Sequence, residues 1–287
     1  KVLNWAPKAR IEWDINDKNN LRLVYRGNST QPTTTQLNPV EDNSNPLRIT
    51  RGNPDLRPAF THSMNVTYLN SDRQKFTSLN VNADFTYNSN NSLNASWTTA
   101  KGVTYTVPMN NNKGTFSGNL RLTFNSPIAK SKFSVTTGVQ SRYSNSMSFI
   151  GKENIDGDNP ESYLNRDNFL ENRYQTLNLS GNLRFTYRGD ITQVSLGGQT
   201  RYTNSWYQIK TNSVRPTWTS SITGNINVTL PSTWSFVTDA NYSFYKGYDE
   251  GFNDPTLVWN AEISRQVFSG MATVAIRCSD ILNQSKN

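Results

Sequence analysis

The chain has 287 residues and a net charge of +8, yet only 17% of its side chains are charged and 34% hydrophobic. Asn, Ser and Thr together number 100, too many for an α/β enzyme built on long apolar strands and amphipathic helices, while 11% aromatics exclude a disordered chain. One Cys and one His exclude a disulfide framework and most zinc, Ser-His and Cys-His chemistry.

No apolar run approaches the ~18 residues of a membrane helix, and Lys1-Val2-Leu3-Asn4-Trp5 lacks the apolar stretch of a secretory signal. A strand that crosses a membrane, however, needs only every second residue apolar, and average hydropathy hides it. Period-2 alternation runs along the whole chain. Ala9, Ile11, Trp13 and Ile15 alternate with Lys8, Arg10, Glu12 and Asp14, and Leu21, Leu23 and Tyr25 continue after a polar turn. His62, Met64, Val66 and Tyr68 follow, then Leu79, Val81, Ala83, Phe85 and Tyr87, then Phe116, Gly118, Leu120, Leu122 and Phe124. Phe133, Val135, Val139 and Tyr143 precede the most regular run, Leu177 to Tyr187, whose alternate residues are Asn178, Ser180, Asn182 and Arg184. Val194, Leu196 and Tyr202 come next, then Trp218, Ile222, Ile226 and Val228, then Trp234, Phe236, Ala240, Tyr242 and Phe244. Leu257 to Ile263 and Ala272 to Cys278 complete about a dozen predicted strands.

The connections between these strands alternate in length. Short turns fall near 16–20, 70–75, 126–131, 188–190, 231–233 and 268–270; long polar loops fall near 27–60, 88–114, 145–172, 203–215 and 246–255. Strict alternation of short periplasmic turns and long extracellular loops is expected of an outer-membrane barrel, whereas Greek-key sandwiches mix lengths. Aromatic residues mark both strand ends, as interfacial girdles would. Tyr25, Phe60, Tyr87, Phe116, Tyr143, Tyr174, Tyr202, Trp218, Phe244 and Trp259 lie at the long-loop end, and Trp13, Tyr68, Phe76, Phe124, Phe133, Tyr187 and Trp234 at the short-turn end. The alternate face carries Arg22, Asn80, Asp84, Arg121, Asn182, Arg184, Asn225, Asp239 and Glu262, which a dry core would have to pair one by one and a watery or plug-filled lumen would not. The fold expected is therefore an all-β, antiparallel transmembrane barrel.

Asn4-Trp5-Ala6-Pro7-Lys8-Ala9-Arg10, Leu21-Arg22-Leu23-Val24-Tyr25-Arg26-Gly27, Gln31-Pro32 and Gln36-Leu37 resemble the barrel of TonB-dependent outer-membrane receptors of the Bacteroidetes type. The sharpest likeness is Gly52-Asn53-Pro54-Asp55-Leu56-Arg57-Pro58, similar to a GNP-x-L-x-P signature that precedes a barrel strand, and Asp280-Ile281-Leu282-Asn283 resembles the segment before the last strand. In the signature, the prolines bias Asn53 and Arg57 toward extended backbone and Gly52 permits a turn. The resemblance implies that residues 1–287 are one partial barrel domain. It supplies about 12 strands of a 22-stranded barrel, without the plug domain, the first strands or the final strand. It further implies an outer-membrane location in a Gram-negative bacterium and uptake of a nutrient of siderophore, glycan or peptide class. The implied partners are outer-membrane lipid, the TonB-ExbB-ExbD complex through a plug, and a surface lipoprotein.

Other chemistry finds little support. His62 has no second His or Cys at ligand spacing, and Cys278 shares the face of Val274 and Ile276. Asn154-Ile155-Asp156-Gly157-Asp158-Asn159 and the group Asp249, Glu250 and Asp254 have calcium-loop flavour, but the first lacks a closing bidentate Glu. Lys and Arg are dispersed, which argues against nucleic acid. No catalytic residue, metal site or cofactor is expected. If loops bind ligand, the candidates are the aromatics placed outside the strand register, namely Trp97, Tyr105, Tyr163, Trp206, Tyr207, Tyr248 and Phe252; the bland alternative is that they anchor loops to one another. Two further readings are a soluble all-β carbohydrate-binding or adhesin module and a plugless porin or outer-membrane enzyme.

Overall fold

The computed structural model describes residues 5–128, 132–152, 155–156, 159–209, 215–231 and 233–284. These residues form sixteen strands. Twelve make one continuous wall: β1 (Lys8–Asn16), β2 (Asn19–Thr30), β5 (Ala59–Asp72), β6 (Thr77–Ser89), β9 (Thr115–Ile128), β10 (Phe133–Gly151), β11 (Phe169–Arg188), β12 (Thr192–Tyr207), β13 (Thr217–Thr229), β14 (Trp234–Lys246), β15 (Thr256–Val267) and β16 (Ala272–Cys278), in that spatial order. Every neighbouring pair in the wall is antiparallel. Among the described residues β1 and β16 do not pair with each other, so the sheet is open at both edges.

The remaining four strands lie in what the sequence presents as loops. β3 (Asp42–Asn45), β4 (Arg48–Thr50), β7 (Ser92–Thr98) and β8 (Thr104–Asn110) form a small extension in which β4 pairs with β8 and β7 pairs with β10, both in parallel. Two short helices, α1 (Thr34–Leu37) and α2 (Pro160–Tyr163), complete it. The loops expected at 27–60, 88–114, 145–172 and 203–215 are thus partly strand, and β10 and β11 run well past the aromatic row at Tyr143.

Register carries the alternation across the wall, with an irregularity between Asp14 and Asn16 beside the first turn. Ile11, Leu23, Val66, Ala83, Leu120, Ser141, Leu179, Tyr202 and Trp218 lie side by side in one row. The next row, one residue on, is Glu12, Arg22, Thr67, Asn82, Arg121, Gln140, Ser180, Arg201 and Thr219. Successive side chains point to opposite faces, so one face of the wall is apolar and the other polar. Among the described residues no second sheet covers the apolar face of the wall: Ile11 is 61% exposed, Val139 54%, Phe185 47% and Ile222 50%. A sandwich would bury these rows between stacked sheets.

Aromatic rings line the apolar face near both strand ends. At the long-loop end Phe60 and His62 (4.7 Å between ring centres), Phe116 and Tyr143 (5.8 Å) and Tyr202 and Trp218 (4.6 Å) touch across strands. At the other end Phe133 packs on Tyr187 at 4.8 Å and Arg265 covers Trp234. Tyr174, expected in the long-loop row, shares its register with Asn178 instead; it stacks on Tyr207 at 5.8 Å toward the polar face.

The buried apolar cluster sits outside the aromatic row, in the extension. It comprises Ala95, Trp97, Val107, Met109, Met147, Phe149, Ile155, Tyr163 and Phe169. Met147 and Phe149 have the same strand parity as Val139, and they are buried in a cluster that Ile155 and Tyr163 join. Gly151 allows this packing, since a Cβ there would lie 2.8 Å from Cδ1 of Ile155 and 2.3 Å from Cβ of Trp97 in β7.

Candidate functional site

The polar face of the wall and the layer above it are where a solute would meet this chain. On the polar face, threonine and asparagine sit directly opposite one another on adjacent strands. Thr61 donates to Asn88 Oδ1, Thr67 to Asn82 Oδ1 and Thr203 to Asn178 Oδ1, each at 2.8 Å, and Thr223 donates to Asn241 Oδ1 at 2.9 Å. Cross-strand pairs of this kind are worth a few tenths of a kcal/mol each and fix register without burying charge. A longer relay crosses four strands. Arg121 Nη2 donates to Gln140 Oε1 (3.2 Å), Gln140 Nε2 to Asn119 Oδ1 (2.8 Å) and Asn119 Nδ2 to Asp84 Oδ2 (3.3 Å), and Asn65 Nδ2 donates to Asp84 Oδ1 (2.7 Å).

Adjoining clefts open on this face, among them one of about 280 Å³ lined by Asp84, Asn119, Gln140 and Arg142. Another of about 370 Å³ is lined by Asn178, Asn182, Gln199, Arg201, Thr219 and Tyr248, and one of about 260 Å³ by Gln140, Arg142, Asn178, Ser180 and Arg201. Tyr248, from the β14–β15 loop, leans over the 370 Å³ cleft with its hydroxyl 2.9 Å from Thr219 Oγ1. Asn253 holds that loop by accepting from Tyr248 N–H (3.0 Å) and donating to the Tyr248 carbonyl (2.8 Å).

The Gly52–Pro58 segment is the joint between the wall and the outer layer. Gly52 and Asn53 donate their N–H groups to Asn38 O (2.8 Å) and Gln36 O (2.7 Å), which ties the segment to α1. The Asn53 side chain is buried; it accepts from Asp55 N–H (2.9 Å) and donates to Pro108 O (3.0 Å). Asn110 completes the joint, accepting from Arg57 N–H (2.8 Å) and donating to Arg57 O (2.9 Å). Glycine is required at 52 by contact and not by a turn: a Cβ would lie 2.3 Å from the Asn38 carbonyl oxygen.

The seven aromatic candidates separate by surroundings. Trp97 lies in β7, Tyr105 in β8 and Tyr163 in α2, and they pack together, with Trp97 stacked on Tyr105 at 5.1 Å and on Tyr163 at 6.3 Å. Arg51, itself bound to Glu41, covers Tyr163 at 4.8 Å and Tyr105 at 5.9 Å. Trp206 and Tyr207 end β12 on opposite faces, and only Tyr248 and Phe252 lie in an irregular loop. Of the seven, Tyr248 is the one that lines a polar-face cleft. Arg142, Arg201 and Gln140 had no individual signature in the sequence; the register that brings them together depends on strand pairing.

Electrostatics fastens the cover. Lys113 and Arg166 both donate to Glu171, in the part of β11 that rises beyond the aromatic row, and these hydrogen bonds, Lys113's first, hold its carboxyl below the usual carboxylate range. Arg166 also lies over the Phe149 ring at 5.1 Å and donates to Asn110 O at 3.2 Å. His62 Nδ1 is 3.0 Å from Tyr25 Oη within the aromatic row, and Cys278 is an exposed free thiol. No group of three His, Cys, Asp or Glu side chains suited to a metal occurs among the described residues. Asn154, Gly157 and Asp158 of the calcium-like segment lie outside them.

A family profile described as "Outer membrane protein beta-barrel family" matches residues 1–211 and, in a second overlapping alignment, 115–287. The chain belongs to that family. Comparison with curated proteins and with solved structures gives no match. Membership gives the two faces their surroundings: the apolar rows face the hydrocarbon of an outer membrane of the Gram-negative type, and the polar face lines the barrel interior.

Proposed function

We propose that this chain forms wall and surface loops of a TonB-dependent transporter of the Bacteroidetes type, taking up a nutrient of siderophore, glycan or peptide class. The observation that carries the reading is the Gly52–Pro58 segment, a signature resembling that of such receptors, which here braces a built outer layer to the strand entering the wall. A plain pore needs only turns and loops at its mouth; a capture protein needs a held surface. The interior rows, polar across the whole wall, supply a path for a hydrophilic solute. Energy would come from the TonB-ExbB-ExbD complex acting through a plug, and a surface lipoprotein would be a partner in capture. No catalytic step is assigned to the chain.

The test is uptake by cells carrying the complete gene product, with and without functional TonB. The probes are a radiolabelled iron–hydroxamate chelate, a labelled oligosaccharide and a labelled tetrapeptide. Accumulation of one probe only when TonB works supports the proposal. Equal accumulation in both strains, or none of the three probes, overturns it. The soluble-module alternative would place these apolar rows in water, a contiguous exposed apolar surface that soluble monomers avoid.

A further inference from the structure

We infer that the interior face from β9 to β13 is an oxyanion-binding wall, with Arg142 and Arg201 as its centre and carboxylate-, sulfate- or phosphate-bearing solutes as its ligands. The inference rests on the transport reading for its biological setting and narrows the substrate of that same surface.

The charge distribution across the wall is uneven in a way that the +8 total hides. On the polar face of β9 to β13, the ionisable side chains are Arg121, Arg142, Arg184, Arg188 and Arg201. The one carboxylate in those five strands, Glu171, stands on the opposite register beyond the aromatic row and is engaged by Lys113 and Arg166. The nearest polar-face carboxylates lie outside the five strands, and asparagines occupy them: Asp84 accepts from Asn65 and Asn119, and Asp239 accepts from Asn260. Asp84 lines a neighbouring cleft with Arg142, its carboxylate already accepting from Asn65 and Asn119, and no carboxylate lines the clefts that hold Arg201.

Arg142 and Arg201 also converge. Arg142 sits opposite Asn178, which sits opposite Thr203, and Arg201 is two residues from Thr203 along β12. Two strand spacings and one two-residue step put their Cα atoms on the order of 12 Å apart, within reach of two long side chains sharing one ligand. Both residues line the 260 Å³ cleft, and neither side chain makes a hydrogen bond or ion pair among the described residues, although Arg142 also lines the neighbouring cleft that holds Asp84. Each guanidinium presents a planar fork of donors that matches an oxyanion. The surrounding amides add donors: Thr203 occupies Oδ1 of Asn178, leaving its NH₂ group for the cleft, and Tyr248 closes the adjoining cleft from above. Arginines left unpaired in a water-filled interior stay hydrated, and their donors remain available to an anionic solute.

The experiment compares binding of glucose 6-phosphate, glucuronate and glucose to the complete gene product in detergent micelles by isothermal titration calorimetry. The three probes share a skeleton and differ in the oxyanion. Both anions are expected to bind at least tenfold more tightly than glucose, with an advantage that shrinks as salt rises. Arg142→Gln and Arg201→Gln should each weaken anion binding about tenfold. Lys75→Gln, which removes the same charge from the β5–β6 turn, should leave it unchanged. Equal binding of anions and glucose, or wild-type anion affinity in the Arg142→Gln/Arg201→Gln double variant, overturns the inference. Unchanged gel mobility shifts on heating show that each variant is folded. Because binding in micelles needs no TonB, anion binding without TonB-dependent uptake sinks only the transport reading; TonB-dependent uptake without anion binding sinks only the wall.

Discussion

Leu120→Arg and its reciprocal, Arg121→Leu, test which face of the wall meets lipid. Leu120 is on the apolar face of β9, 42% exposed, four residues from Phe116 and four from Phe124, the aromatic residues toward either end of that strand. Four residues span about 13 Å of strand, or roughly 10 Å of depth at a barrel strand's tilt, which puts Leu120 near the bilayer midplane. An arginine there costs about 2–4 kcal/mol, and losing the leucine's contact with hydrocarbon adds about 1–2 kcal/mol. Arg121 next to it faces the interior and makes one hydrogen bond, to Gln140 at 3.2 Å, so Arg121→Leu should cost about 1 kcal/mol or less. The assay is reversible guanidinium unfolding of the complete gene product in phosphatidylcholine vesicles. An expected difference of about 3–5 kcal/mol between the two substitutions is well outside its error. Equal losses, or a greater loss for Arg121→Leu, would refute the assignment of faces.

Three further outcomes concern the outer layer. Asn53→Ala should cost the layer about 2–3 kcal/mol of local stability by orphaning the buried Pro108 carbonyl, and Asn53→Asp, which keeps the acceptor for Asp55 N–H but not the donor, should do no better; amide hydrogen exchange over β7 and β8 reads both. Gly52→Ala should raise exchange in the same segments at least as much, because the methyl meets backbone that cannot step aside, and unchanged protection would disprove the contact. Glu171 has a folded-state pKa below its unfolded value, so its contribution is present above the ordinary carboxylate range and is lost as pH falls through the lowered value; proteolysis near Glu161 should accelerate below about pH 4 and stay flat from 5 to 7.

Strand alternation was legible because it is local: the rows beginning at Ile11 and Glu12 are already separated in the order of residues, and pairing only sets them side by side. The outer layer was not, because its decisive contacts join distant segments. Ala95 pairs with Phe149 and Ile49 with Tyr105 in parallel, a geometry with no turn signature to announce it. Tyr174 matches the aromatic row by its position along β11, but its parity, already readable against Leu177, sets it toward the polar face. Gly52 was found for the wrong reason, since a neighbouring backbone and not a turn requires it. The arginine wall was invisible to net charge because Asp and Glu elsewhere offset it in the sum.

Strand β10 locates the edge of the hydrocarbon. Val139, Met147 and Phe149 have the same parity, yet Val139 is 54% exposed while Met147 and Phe149 are 3% and 1% exposed. Nothing intrinsic to the residues accounts for the difference, because all three are apolar and alternate on one strand. What changes is the cover. Below the Tyr143 row the membrane supplies apolar surroundings, and the chain leaves the face bare; above it water would meet that face, and the segment carrying Ile155 and Tyr163 closes over it. The transition falls between Tyr143 and Met147, so the outer layer is the wall's own apolar register continued into water and roofed by protein. This explains why its aromatics, Trp97 and Tyr163 among them, are packed inward.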